Sequence, residues 1–301
     1  MFREYAVEPC VSDDPRDIAS CLKEFSIFEG RMLACVPGKW KRAFWKHINQ
    51  QDLRPLEKKI LEHAIEKVQK QHGFLKRGVS FDPDQSWVEN ALTADSLQPF
   101  SWIITRDPSN ANEKIVDFSH AGDKCFDPVR MKTVPRTAEN IANTLVGLLR
   151  GAKRVVIADP HFDPAKHKWW KVIRALRDKI ENPSIEFEYH FDYATTELER
   201  HQFEEVAARF RVEYLNPGEV VEFCGWETAR GTKFHDRFLL TEKAAVASSY
   251  GFDEGREGEE TRLDILDRPA YESAYQIFDK SHFPEDHPNK WSLKYSLLIS
   301  G

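Results

Sequence analysis

The sequence predicts an α/β fold, with a mixed sheet flanked by helices in its C-terminal part and an N-terminal α+β domain before it. Three observations predict this. From residue 137 onward, amphipathic stretches of helical period alternate with short apolar runs, a βαβαβ series. The run "RVVIADP" at 154–160 is apolar throughout, as in strands buried on both faces. The first 135 residues mix helix-like and strand-like stretches and carry no catalytic motif. The boundary falls near residue 135, giving domains over 1–135 and 136–301.

Each element follows from its pattern. "DDPRDIASCLKEFSIF" predicts a capped helix with Ile18, Leu22 and Phe25 on one stripe. "LRPLEKKILEHAIEKVQKQHG" predicts a second, lined by Leu56, Ile60, Leu61, Ala64, Ile65 and Val68 and stopped by Gly73. "SWIITRD" and "KIVDFSHAG" predict a pair of strands around the turn-prone "DPSNANE". Further on, Thr137 caps a helix carrying Ile141, Leu145, Leu148 and Leu149, which ends near Gly151. After the strand "RVVIADP" comes a helix through "KWWKVIRALRDKI", with Trp170, Ile173 and Leu176 at helical spacing, closing at "ENPS". "IEFEYHFDY" alternates Ile185, Phe187, Tyr189 and Phe191 with polar residues, a strand. A helix through "TTELERHQFEEVAARF" leads to a strand at "RVEYLN". Two strands in "GTKFHDRFLLTEKAAVASSYGFD" follow, then a strand and helix in "RLDILDRPAYESAYQIFD". Such a series builds a mostly parallel sheet.

With 301 residues, 41% of them hydrophobic, the chain can bury cores for two domains. Its aromatics, eight Trp, eight Tyr and 20 Phe, predict a well-packed aromatic core. A net charge of −6 and a pI near 6.0 give no global basic footprint for nucleic acid. Cys10, Cys21, Cys35, Cys125 and Cys224 form no CxxC pair, which fits a reducing compartment. No run reaches transmembrane length and "MFREYAVEPC" has no leader pattern, so a cytoplasmic location is expected. No cofactor is expected, and no metal, because no His, Cys and carboxylate cluster has metal-ligand spacing.

Two predicted strand ends are rich in chemistry: "ADPHFDP", with Asp159, His161 and Asp163, and "FHDRFLL". In a strand, His235 and Arg237 share one face and Asp236 takes the other. Cleaving a phosphodiester without a metal requires a nucleophile, an acid for the leaving oxygen and cations for the phosphoryl charge. Histidine serves as nucleophile or acid near neutral pH, and Arg grips phosphate in bidentate fashion. The candidate catalytic residues are therefore His235, Arg237, Glu242 (to orient an imidazole) and His161 (a second acid). Arg237, Ser248, Ser249 and Asp159 are the candidate phosphate-binding residues, and Glu259 or Glu260 of "DEGREGEE" is placed to reach back to the site. Each also has a plain structural reading: an imidazole satisfied by Asp236, an Arg bridging Glu242 or Asp159, a helix cap at His161, turn serines. "GKWKRAFWKHINQ" interleaves cations with aromatics, so Lys39, Trp40, Lys41 and Arg42 are candidate nucleic-acid contacts. The same stretch also reads as an amphipathic helix with Trp40, Phe44 and His47 at core spacing.

The spacing over residues 137–280 resembles the phospholipase D superfamily, whose signature is a His, a Lys two positions on, an Asp after four more residues and then a Gly-Ser-x-Asn. His235 stands at the histidine position, Arg237 at the lysine and Glu242 at the aspartate, with "SSYGF" where the Gly-Ser-x-Asn segment falls. "RVVIADPHFDP" resembles the family's first core strand. The resemblance implies a metal-independent phosphodiesterase, a nuclease rather than a lipase, in which His235 forms a phosphohistidine. A second histidine would protonate the leaving oxygen while Arg237 stabilises the equatorial oxygens. It further implies a homodimer that brings two copies of the site together, and a role in bacterial defence against foreign DNA. "HDR" with the upstream "ADPHF" is more similar to the phospholipase D-like C-terminal domains of MIT-domain proteins, a branch that implies phosphoinositide binding. The alternatives are thus a non-catalytic module for phosphoinositide, nucleotide or nucleic-acid phosphate, or a scaffold docking a larger complex through its N-terminal half.

Overall fold

The computed structural model describes every residue except 109–111, 123, 124, 128, 181, 183, 196–198 and 283. It is a mixed α/β protein with two sheets flanked by helices, divided into compact units over Phe2–Val129 and Arg130–Gly301.

The N-terminal unit runs β1 (Arg3–Val7), α1 (Pro15–Lys23), β2 (Arg31–Cys35), α2 (Trp40–Ile48), α3 (Pro55–Lys70), β3 (Phe74–Lys76), α4 (Trp87–Leu97), β4 (Trp102–Thr105) and β5 (Ile115–Asp117). Its sheet has the order β3-β2-β1-β4-β5 and every pairing is parallel. Strands alternate with helices here, in place of the segregated α+β arrangement expected. β2 is buried along its whole length, as parallel strands under helices are. The strands expected around "DPSNANE" do pair, but parallel, with Ile103 opposite Ile115; part of that turn lies outside the described residues. In α3 the buried stripe is Leu61, Ala64, Ile65 and Val68, whereas Leu56 in the first turn is exposed. Gly73 lies where a Cβ would run into the Phe25 carbonyl, so close packing requires glycine there.

The C-terminal unit runs β6 (Met131–Pro135), α5 (Ala138–Leu149), β7 (Arg154–Ala158), α6 (His167–Arg177), β8 (Glu186–Asp192), α7 (Arg200–Tyr214), β9 (Val220–Glu227), β10 (Phe238–Thr241), β11 (Ala245–Ser248), β12 (Glu260–Ile265), α8 (Arg268–Ile277) and β13 (Ser292–Ser300). The sheet order is β13-β9-β8-β7-β10-β11-β12-β6. Only β7–β8 and β8–β9 are parallel; the other five pairings are antiparallel, so the sheet is mixed but not mostly parallel. The connection from β10 to β11 closes in a tight turn, Thr241 N to Ala244 O at 2.9 Å, too short for a crossover helix. Thr137 caps α5 through Asn140 N, as its sequence predicts.

Two further expectations fail in this unit. "RVEYLN" is not a strand, because α7 continues through it: Phe203, Ala207, Phe210 and Tyr214 form one buried stripe, and Val212 is 80% exposed. The strand falls instead at β9. His235, Asp236 and Arg237 do not lie on a strand either; they precede β10 in irregular backbone. Parts of the "ENPS" and "TTELER" stretches lie outside the described residues. The aromatic core is present. Phe162 stacks on Phe223 at 5.4 Å and packs against Tyr189, Phe191, Trp169 and Phe203. Among the described residues no helix is long and apolar enough to cross a membrane.

Candidate active site

Antiparallel pairing of β10 with β7 sets Phe238 opposite Ala158. The residues leaving β7, Asp159 to His161, and those entering β10, His235 to Arg237, therefore meet at one edge of the sheet. Ser248 N donates to Arg237 O at 2.9 Å, which brings the turn after β11 to the same edge. At the centre is Asp159, fully buried, its carboxylate accepting His161 N at 3.0 Å and Phe252 N at 3.3 Å. Arg237 Nε lies 4.0 Å from it. Burial pushes the Asp159 carboxyl up to about 6; the two backbone N–H groups and Arg237 work against that rise, and Asp253 adds to it.

His161 is exposed on this edge, and its imidazole is held below the ordinary value, first by partial burial and then by the charge of Arg237. Asp192 opposes this and His235 adds to it, so both histidines and Arg237 share one electrostatic environment. Arg237 keeps a buried Nε with no hydrogen-bond partner, and Tyr189 Oη and Trp169 Nε1 are also buried and unpaired. Tyr189 is driven strongly upward by burial, with further contributions from Asp159 and Asp253. Arg237 Nε and Tyr189 Oη thus stand without hydrogen bonds near the buried carboxylates Asp159 and Asp253, an arrangement with room for a further acceptor.

The sequence reading missed Asp253, Arg136 and Lys168. Asp253 is buried beside Asp159, paired with Arg136 and, at 2.5 Å, with Lys168 Nζ. Their only sequence signal was a carboxylate two residues after Gly251 in "SSYGFD". Glu259 does reach back, to Arg136 at 3.3 Å, whereas Glu260 opens β12 and is exposed. Gly251 has φ of +111°, and a Cβ there would run into Asp159 Oδ2 and lie 3.3 Å from Arg237 Cδ. The turn approaches the site so closely that only glycine fits.

Other candidates lie elsewhere. Glu242 sits at the far end of β10, accepting the N–H groups of Lys153 at 3.1 Å and Arg154 at 3.3 Å, so it holds the start of β7 and does not orient His235. Ser248 Oγ donates to Gly251 O at 2.8 Å and accepts from Gly251 N at 3.1 Å. Ser249 Oγ accepts Arg262 N at 3.0 Å. Both serines shape the turn. Asp163 accepts Ala165 N and pairs with Lys166 at 2.8 Å. In the N-terminal unit, Trp40 is buried, stacked on Phe44 at 5.3 Å, with Nε1 on Val7 O at 2.6 Å, so it has no face free for a base. Lys41 Nζ reaches Gln69 at 3.1 Å, and Lys39 and Arg42 are exposed.

One group among the described residues brings His, Cys and carboxylate together: Glu188, His190 and Cys224, all buried. The Trp226 indole, which can only donate, gives its N–H to His190 Nδ1 at 2.8 Å, so the ring proton sits on Nε2, facing Glu188 at 2.8 Å. Glu188 also takes both Arg154 donors, at 2.9 and 2.8 Å. Burial alone would raise the Glu188 carboxyl, yet the His190 and Arg154 hydrogen bonds hold it well below the usual range. The Glu188 and His190 ligand atoms are committed to each other, to Trp226 and to Arg154, which does not fit a metal. A cavity of about 1020 Å³ in the N-terminal unit contains none of the candidate residues. Its lining carries Asp13, Asp17, Glu24, Asp117 and Asp127 against Arg106, the wrong sign for phosphate.

No family model and no curated protein matches the chain. Among solved structures it is similar to phosphatidylserine synthase from Haemophilus influenzae Rd KW20, at 13% identity and a TM-score of 0.35, over 56% of this chain and 46% of that one. It is also similar to TrmBL2, an archaeal chromatin protein with a novel mode of DNA binding, at 14% identity and a TM-score of 0.28, over 73% and 66% of the two chains. The chain thus spans less than half the length of the first and just under two thirds of the second. With scores this low, neither likeness bears on what the protein does.

Proposed function

We propose that the C-terminal unit is a metal-independent phosphodiesterase acting on nucleic acid. The observation that carries this is the meeting of His161, His235 and Arg237 at one sheet edge over the buried Asp159. In the proposed reaction a His235 nitrogen forms a bond to phosphorus as the bond to the leaving oxygen breaks, and His161 gives that oxygen a proton. Water then attacks the phosphohistidine, releasing His235 and returning a proton to His161. Arg237, whose Nε makes no hydrogen bond and lies 4.0 Å from Asp159, supplies charge and guanidinium donors to the phosphoryl oxygens. Asp159 accepts the His161 backbone N–H and so positions the turn carrying that imidazole. The resemblance to the phospholipase D superfamily, with His235 and Arg237 in the signature positions, supports the same reading. His161 belongs to the same chain, so both imidazoles come from one copy; the homodimer that the resemblance implies is a separate proposal, checked by sedimentation.

Incubation with single- and double-stranded DNA and RNA tests the activity. Cleavage is expected to survive EDTA and to disappear, by several orders of magnitude, in His235→Asn. Cleavage abolished by EDTA and restored by magnesium overturns the mechanism, as does full turnover by His235→Asn. A phosphate-binding module without turnover is the second reading, favoured by Glu242, which holds β7 and leaves His235 without that carboxylate. Loss of nucleic-acid or lipid binding in Arg237→Ala, with no turnover of any substrate, establishes it.

A further inference from the structure

Beside the candidate site stands an aromatic side chain that the fold does not use. Tyr250 is 63% exposed, while its neighbours Gly251, Phe252 and Asp253 are all buried against Asp159 or its surroundings. The Arg136 guanidinium lies 5.4 Å from the Tyr250 ring centre and donates to the Tyr250 carbonyl at 3.3 Å. Arg136 is itself held by Asp253 and Glu259. The ring therefore projects from a rigid turn, backed by a fixed cation, one residue from the glycine packed on Arg237.

Resting on the phosphodiesterase reading, we propose that Tyr250 is a base-stacking subsite and that the ligand is single-stranded nucleic acid. Two of the rim's cations are paired with carboxylates, Lys168 with Asp253 and Lys171 with Glu254 at 2.5 Å, while Arg256 on the same loop is exposed. Charge alone gives the rim little hold on a polyanion. Stacking on an exposed ring supplies affinity that tolerates any sequence, because every base has a π-face. It requires an unpaired base with a free face, which duplexes do not offer. A lipid surface fits this rim poorly. Glu254, Glu257 and Glu259 outnumber Arg256 on the same loop as Tyr250, and among the described residues the unit's other large exposed apolar side chains, Met131, Val212, Leu293 and Leu298, sit on β6, α7 and β13. A membrane-seating surface needs clustered apolar groups and basic neighbours.

The test reads binding and needs no turnover. In the full-length His235→Asn chain, fluorescence anisotropy measures the affinity for a labelled single-stranded oligonucleotide, its annealed duplex and vesicles containing phosphatidylserine. Adding Tyr250→Ala is expected to weaken single-strand binding roughly 5- to 150-fold, with Tyr250→Phe and Tyr250→Trp retaining it. Duplex and vesicle binding are expected to be weaker and indifferent to Tyr250. Single-strand affinity unchanged by Tyr250→Ala but reduced by Arg237→Ala overturns the stacking subsite and leaves the phosphodiester site standing. Affinity unchanged by both variants, or no oligonucleotide binding at all, overturns both. Vesicles bound more tightly than the oligonucleotide, through Tyr250, replace the nucleic acid with a lipid surface.

Discussion

At the scale of single residues, the site depends on two groups whose surroundings shift them away from ordinary behaviour. His161 is held below its usual range by partial burial and by Arg237. A depressed pKa makes the protonated ring a stronger acid and a scarcer one. Turnover is therefore expected to fall as pH rises through the His161 pKa, which lies below the ordinary histidine value of 6.5. His161→Ala should lower kcat and remove that limb of the kcat/KM profile; an unchanged limb assigns the proton to another group. Gly251 is the second such residue. Gly251→Ala places a methyl group against the buried Asp159 at a φ that alanine rarely adopts. The expected cost is about 3 kcal/mol, with loss of turnover, read from a denaturant melt and an assay together. A stable, active alanine variant would mean that the turn re-forms without its approach to Asp159.

At the scale of elements, β10 separates two roles that its sequence runs together. His235 and Arg237 lie before its first residue, and Glu242 lies after its last, at the amino end of β7. Glu242→Ala should accordingly leave turnover close to wild type and lower stability by roughly 1–2 kcal/mol, because the Lys153 and Arg154 backbone N–H groups lose their carboxylate acceptor. A urea melt and an activity assay on the same preparation check this. Collapse of turnover in a folded Glu242→Ala chain would return Glu242 to the catalytic group. α7 shows the opposite tension, since the brief strand-like alternation "RVEY" yields to a stripe of four buried residues that continues the helix. A local pattern of three or four residues loses to a longer one with a core to pack against.

On the scale of the whole molecule, the buried Asp159 ties stability to pH. Its folded pKa of about 6 lies above the ordinary 3.8, so between those values the folded chain holds a proton that the unfolded chain has released. Stability is thus lost as pH rises from about 4 to about 6, by something on the order of 3 kcal/mol, and the cost is fully present above that window. Asp159→Asn removes the titration. A comparison of Tm against pH should show the wild type falling relative to the variant across this window. Parallel curves would mean that Asp159 is ionised throughout. Replacing the carboxylate also leaves one of its two backbone donors without an acceptor, so the difference between the curves carries the result, and their absolute heights do not.

The sequence by itself determined the α/β class, the capped helix at Thr137, the apolar strand at β7 and the residue types of the site. Local patterning carries such information, because helix period, strand run and capping chemistry are decided within a few turns of chain. It could not reach the sheet's pairing directions, the irregular backbone at His235 or the true place of Glu242. Nor did it single out Asp253, Arg136 and Lys168, which lie up to 117 residues apart and form a cluster only when β6, α6 and the turn after β11 come together. His161 and His235 were legible as candidates 74 positions apart. Whether they share a phosphate depends on β10 folding back antiparallel against β7, and that choice is made by the tight turn to β11 and by packing across the whole sheet.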